Sequence, residues 1–226
     1  MAVDPPRYVP RIATESLLVR LEEHVLEGGP VALLLGPAGI GKTLLLQVLQ
    51  ARLGERHRCV HVPHAAFSPE DVCAWILGLM GEEPGAAPDE ALAALAESLA
   101  ERGAKLVLLV DEAASLDPAA AAGLASLARS VHPAASLVLA GVEDERMEAV
   151  RKALRERVTR VRFDDPMSRD ESDQYVSVLL SRDTRPERRD TKLDEDALES
   201  LYDQSQGNPA ALEELLEARA REGALG

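Results

Sequence analysis

Two short clusters hold the residues able to do chemistry in this sequence. The first is Gly36-Pro37-Ala38-Gly39-Ile40-Gly41-Lys42-Thr43, which fits the pattern GxxxxGK[ST]. Glycines at this spacing let successive backbone N–H groups turn inward without Cβ clashes, so the loop can surround phosphate oxygens. Lys42 can then reach the β- and γ-phosphates of a nucleoside triphosphate, and the Thr43 hydroxyl can bind Mg²⁺. The phosphate-binding set runs from Gly36 through Leu44. The second cluster is Asp111-Glu112, at the end of the apolar run Leu106 to Val110. Asp111 is expected beside Thr43 in the Mg²⁺ shell. Glu112 is expected to orient and partly deprotonate an attacking water. Many P-loop switch GTPases carry Asp-x-x-Gly at this place, whereas this chain reads Asp111-Glu112-Ala113-Ala114.

The elements that must position these groups are legible in outline. Val31 to Leu35 is continuously apolar, as in a strand buried on both faces, and it leads directly into the glycine-rich loop. A helix over 43–53 follows, and its N-terminus adds positive dipole where the phosphates would lie. Helical spacing of Leu17, Leu18, Leu21, Val25 and Leu26 predicts a helix over 16–26. Further strands are expected at 58–62, 106–110, 136–140 and 158–163. Helices are expected after Ser68-Pro69, after Pro88 and after Asp117-Pro118. Trp75 reads as core. Alternating strands and helices imply an α/β fold with a five-stranded parallel sheet. Beyond Pro166 the pattern is purely helical, opening with a capping-box spacing from Ser168 to Glu171 and closing with helices at 197–205 and 210–220. The expected division is an α/β core over 1–166 and a helical lid over 167–226.

Composition narrows the function classes. Lys plus Arg total 25 against 39 Asp plus Glu, a net charge of -14, which argues against nucleic-acid or anionic-membrane partners at long range. The apolar runs fall far short of the ~20 residues that cross a bilayer. The N-terminus lacks the apolar core of a signal peptide, and a cytoplasmic location is expected. Cys59 and Cys73 form no CxxC pair, so they read as buried thiols rather than a metal or disulfide framework. His61 and His64 lack further convergent ligands and read as a strand-end pair. The basic residues from Arg146 to Arg162 interleave with Glu143, Asp144, Glu145, Glu148 and Glu156, a pattern that suits a subunit interface. Thr191-Lys192-Leu193-Asp194 mimics a guanine-reading element, but the charged run 185–190 precedes it instead of a buried strand. It therefore reads as a loop.

Taken in order, Gly36 to Thr43, Val110 to Ala113, Leu137 to Gly141 and Gly207-Asn208-Pro209 resemble AAA+ ATPases. Within that class they resemble the ExeA/GspA-like group, whose relatives include TniB-type transposition ATPases. The helix entered at Ser168 resembles that group's lid-entry helix. The resemblance implies a core sheet of order 5-1-4-3-2, with a helical lid over the nucleotide. It also implies an adenine pocket at Tyr8, Val9 and Pro10, closed by Gly207 and Pro209. It further implies homo-oligomerisation, with an arginine from one subunit against the neighbour's γ-phosphate. Arg157 is the first choice for that arginine and Arg155 the second. Two residues depart from the family pattern: Val142 stands where a polar residue is expected after the fourth strand, and Ala210 where a lid arginine is expected. Each loss of a transition-state contact costs on the order of 10²-fold in rate. Proteins of that group often continue into a membrane span and a cell-wall-binding part beyond the lid. These are not expected here, nor is a secretion role.

The reading is an ATPase that binds ATP with Mg²⁺ and hydrolyses it slowly to drive or switch an oligomer or a protein partner. The alternatives are a nucleotide-dependent regulatory binding module with little hydrolysis, and a TniB-like DNA-associated regulator.

Overall fold

Three fully buried strands organise the chain. The computed structural model describes residues 5, 8–27, 29–62, 69–154, 158–183, 185 and 193–221. The strands are β1 (Val31–Leu35), β2 (Arg58–Val62), β3 (Leu106–Val110), β4 (Ala135–Gly141) and β5 (Thr159–Arg162). They form one parallel sheet in the order β2-β3-β4-β1-β5, which read from the other edge is the expected 5-1-4-3-2. β1, β3 and β4 are buried along their whole length, whereas β2 and β5 at the edges expose part of theirs. That is why β1 and β3 read as unbroken apolar runs and the edge strands carry arginines.

Because side chains alternate along a strand, each apolar pentad serves two cores. Val31, Leu33 and Leu35 face one cluster with Leu106, Leu108 and Val110, and α3 (Pro69–Met80), α4 (Pro88–Glu101), α5 (Pro118–Ser130) and α6 (Glu145–Ala153) cover it. Ala32 and Leu34 face the other with Val107 and Leu109, under α1 (Ile12–Glu27) and α2 (Lys42–Leu53). Trp75, expected in the core, is half-buried against the rim of the first cluster.

A third cluster lies apart from the sheet. Met167, Tyr175, Val176, Leu180, Leu201, Leu212 and Leu216 pack together from α7 (Arg169–Ser181), α8 (Glu195–Ser205) and α9 (Pro209–Arg221). The capping box is formed: the Ser168 hydroxyl accepts from Glu171 N–H, and the Glu171 carboxylate accepts from Ser168 N–H at 2.8 Å. Ser68, expected to cap α3, and residues 186–192, including Thr191 and Lys192 of the guanine-reader mimic, lie outside the described residues.

The structure differs from the sequence reading in two helices. α1 begins at Ile12 rather than Ser16. Its extra turn rests on polar contacts that carry no apolar period. Thr14 Oγ1 accepts from Arg11 N–H at 3.1 Å, and the Tyr8 hydroxyl donates to Glu15 at 2.6 Å. α6 was not expected at all. Met147, Val150 and Leu154 bury one face at spacings of three and four, but charges surround them. Its start is the Asp144 carboxylate accepting from Met147 N–H at 2.8 Å. Among the described residues, no helix is long and apolar enough to cross a membrane.

Leu212 is fully buried at the centre of the third cluster. Leu212→Ala is expected to cost about 2–5 kcal/mol in that cluster. Hydrogen exchange should accelerate across α7, α8 and α9 and stay slow in β1, β3 and β4. Uniform acceleration would mean that sheet and helical cluster open as one unit.

Candidate functional site

β1 lies between β4 and β5, and the chain leaves the sheet there. Gly36 N–H donates to Gly141 O at 3.3 Å and Phe163 N–H donates to Leu35 O at 2.7 Å, which pins the start of the glycine-rich loop between the ends of its two neighbours. Open α/β sheets bind ligands at such a place, outside the carboxyl ends of the strands. Gly39 (φ 75°) and Gly41 (φ 105°) take left-handed conformations that residues with a Cβ rarely adopt. Gly41 occupies the N-cap of α2 and supplies no side chain to cap it.

The loop borders a cavity of 630 Å³, a size suited to a small-molecule ligand. Ala38, Gly39, Ile40, Gly41, Lys42, Thr43 and Leu44 line it. Gly36 and Pro37 do not; their carbonyls accept from the Lys42 ammonium at 2.9 and 2.8 Å. Lys42 is buried. Burial holds its pKa below the usual lysine range, and the nearby Asp111 and Glu112 carboxylates oppose that shift.

Asp111 and Glu112 line the same cavity. Asp111 N–H continues the sheet by donating to Val62 O at 2.9 Å, so the buried Asp111 carboxylate is fixed to the end of β3. That carboxylate accepts from Glu112 N–H at 2.9 Å. The Ser115 N–H and hydroxyl both donate to Glu112 O at 2.8 Å. Held at both ends, Glu112 adopts φ 45° and ψ 44°, a left-handed conformation rare for a residue with a side chain, and is exposed at the cavity.

The N-terminal arm closes one side. Tyr8 is buried and Val9 partly so, and both line the cavity. Tyr8 is locked by a network reaching α2: its hydroxyl donates to Glu15, which binds Arg52 through two bonds of 2.8 and 2.9 Å. Burial, then the Glu15 hydrogen bond, push the Tyr8 phenol up to about 12. Pro10, expected in the same pocket, is exposed and does not line it. The chain turns away there into α1, and Arg11 reaches across to the carbonyls of Asp165 and Pro166 and to Glu171 at 3.2 Å.

The helical cluster closes the other side through Pro209 and Ala210. Gly207 does not line the cavity; its carbonyl accepts from Met167 N–H at 2.9 Å. Val142 and Ala210 both face the cavity, so the two positions singled out for lacking a polar group are site positions. Arg157 and Arg155 lie outside the described residues, as does His64. Among the described residues no group of three His, Cys, Asp or Glu side chains could hold a metal. Burial pushes the Cys59 and Cys73 thiols up to about 11, away from reactivity.

Sequence reasoning missed several residues at the cavity: Arg11, Arg146, Tyr175 and Glu213. The Tyr175 hydroxyl donates to Glu213 across the helical cluster. Glu213 follows Pro209 by four residues, so both occupy one face of α9. That spacing was the available signal. Tyr175 and Arg11 had none, because only the tertiary fold brings them near the loop.

Strand order and a glycine-rich turn after β1 together define a P-loop nucleoside-triphosphatase fold. A family model described as an AAA domain matches residues 25–150, over half of the chain, and the chain belongs to that family of nucleotide-binding ATPases. Among solved structures, Cdc6p from Pyrobaculum aerophilum is similar at 23% identity and a TM-score of 0.61, over 97% of this chain and 65% of that one. Orc1 of Aeropyrum pernix, in complex with DNA, is similar at 18% identity and 0.68, over 96% and 62%. The RuvB Holliday junction branch migration motor of Thermotoga maritima is similar at 21% and 0.60, over 93% and 61%. At these identities the likeness is one of fold, and the chain spans less than two thirds of each of these structures. No curated protein sequence matches the chain.

The left-handed conformation of Glu112 has a thermodynamic consequence. Such a conformation costs a residue with a Cβ about 1–2 kcal/mol, partly offset in glycine by backbone entropy. Glu112→Gly is therefore expected to raise the free energy of unfolding in urea by up to about 1 kcal/mol. A fall in stability would show that the Glu112 side chain contributes more to the fold than its backbone conformation costs.

Proposed function

We propose that this protein binds ATP with Mg²⁺ in the cavity beside the glycine-rich loop and hydrolyses it slowly. The observation that carries this reading is the convergence of three separate segments on one cavity: residues 38–44, the Asp111-Glu112 pair and the start of α9. The loop amides and the N-terminus of α2 bind the phosphate tail. Lys42 exchanges its two carbonyl partners for phosphate oxygens. Tyr8, Val9 and Pro209 bound the adenine. Glu112 accepts a proton from the attacking water and orients it.

Magnesium fits the donor set. Thr43 and Asp111 offer hard oxygens on the same cavity. A small dication takes one or two carboxylates and completes its shell with water and substrate phosphates. When bound, it neutralises charge on the phosphate oxygens.

In this reading the core and lid are residues 1–166 and 167–226, and the chain is of the ExeA/GspA-like, TniB-related kind. A second subunit completes the site in a homo-oligomer, with Arg157, or failing that Arg155, against the γ-phosphate. The location is cytoplasmic and the partner a protein.

A second reading has its own support. Val142 and Ala210 bring no polar group to the cavity, which favours long-lived ATP occupancy that sets a partner's docking over steady turnover.

Calorimetric titration with ATP and Mg²⁺ and a phosphate-release assay separate these readings. Lys42→Ala is expected to abolish binding. Glu112→Gln is expected to keep binding and lower turnover by about 10²-fold or more. Absence of ATP uptake by the folded wild type would end both readings. Uptake without turnover at any protein concentration would leave the switch alone.

A further inference from the structure

The turn that opens α9 sits directly on the glycine-rich loop. Asn208 Nδ2–H donates to Ala38 O at 2.9 Å, and Ala210 N–H donates to Gly39 O at 3.2 Å. The packing is close: a Cβ on Gly39 would lie 2.6 Å from Asn208 Oδ1 and 2.8 Å from Ala210 Cβ. On its far side the same turn is tied to Met167, whose N–H donates to Gly207 O at 2.9 Å.

Asn208 uses both ends of its amide. Oδ1 accepts from Ala210 N–H at 3.1 Å and from Ala211 N–H at 3.2 Å, which caps α9. Nδ2 donates to the loop. The partners fix which end is which, since Ala38 O needs a donor and the two helix amides need an acceptor.

A loop whose N–H groups converge on an anion must point its carbonyls away from that anion. The carbonyls of Gly36, Pro37, Ala38 and Gly39 all have donors. Lys42 serves Gly36 O and Pro37 O, while Asn208 and Ala210 serve Ala38 O and Gly39 O. Lys42 has another task once phosphate is present, so the contacts from the α9 turn are the ones that persist. We propose that Asn208 is a positioning residue for nucleotide binding: it holds the Ala38 carbonyl outward, fixes the phosphate-facing amides, and thereby couples the loop to the helical lid. This rests on the reading of the loop as a triphosphate site.

Serine at 208 separates the two uses of the side chain. It caps a helix about as well as asparagine does, is neutral, and places its hydroxyl about one bond short of the asparagine amide nitrogen. In the full-length Asn208→Ser variant without nucleotide, the amides of residues 38–41 are expected to exchange about tenfold faster, while those of α9 exchange as in wild type. The Kd for ATP is expected to rise about five- to tenfold, the equivalent of one hydrogen bond. Asn208→Ala should add faster exchange in the first turn of α9, because the cap is then lost too.

Three results overturn the proposal: unchanged exchange at residues 38–41 in Asn208→Ser, equally raised exchange throughout α9 in that variant, or an ATP Kd within twofold of wild type. A wild type that takes up no ATP would remove the functional reading, yet the nucleotide-free exchange would still decide whether Asn208 holds the loop.

Discussion

A ring of main-chain amides can grip an anion only if the carbonyls behind them are occupied elsewhere. That constraint governs the architecture around residues 36–43. Left-handed conformations at Gly39 and Gly41 turn the backbone, but turning it aims carbonyls at Lys42 and at the start of α9. An unpartnered buried carbonyl costs free energy of the order of a lost hydrogen bond, which bears on the buried Gly36 carbonyl; at the exposed Ala38 and Gly39 the bonds fix direction instead. The outward face of the loop is therefore held partly by its own Lys42 and partly, from a distant segment, by Asn208 and Ala210. The sheet contributes the other anchor, through the Gly36–Gly141 and Phe163–Leu35 bonds at the ends of β4, β1 and β5.

The electrostatics follow from that placement. The protein carries a net charge of -14, a poor starting point for attracting a triphosphate. Its answer is local: a buried lysine, a helix N-terminus without a side-chain cap, and inward amides. Burial makes the Lys42 charge costly, and Asp111 and Glu112 offset that cost from the end of β3. The two acids differ in setting. Asp111 is buried and continues a ladder bond to β2, which suits a fixed ligand. Glu112 is exposed on a left-handed backbone held by Ser115, which lifts its carboxylate into the cavity.

The helical cluster is more than a cover. The Gly207-Asn208-Pro209 turn is clamped between Met167 and the loop, and Arg11 crosses from the start of α1 to Asp165, Pro166 and Glu171. The N-terminal arm and the C-terminal helices thus meet over the same cavity. Tyr8 in turn is held through Glu15 by Arg52, which lies on the helix that the loop begins. A change of shape at the loop has short polar routes into both flanking segments.

The sequence alone determined the strands, their parallel order by resemblance, the loop and the acidic pair. Each is written in a local pattern: an apolar pentad such as Val31 to Leu35, glycines at fixed spacing, or a carboxylate at a strand end. Local patterns survive without knowledge of neighbours because backbone geometry sets them. What tertiary structure decided lacks a period. The first turn of α1 hangs on Tyr8. α6 hides its buried Met147 and Val150 among charges. Tyr175, Glu213 and Arg11 reach the cavity from segments far apart in the chain, and Pro10, one residue past two that line it, does not. Above all, the sequence placed Asn208 in a motif but could not say that its amide spans two elements. A contact across about 170 residues is fixed by packing, and no spacing along the chain encodes it.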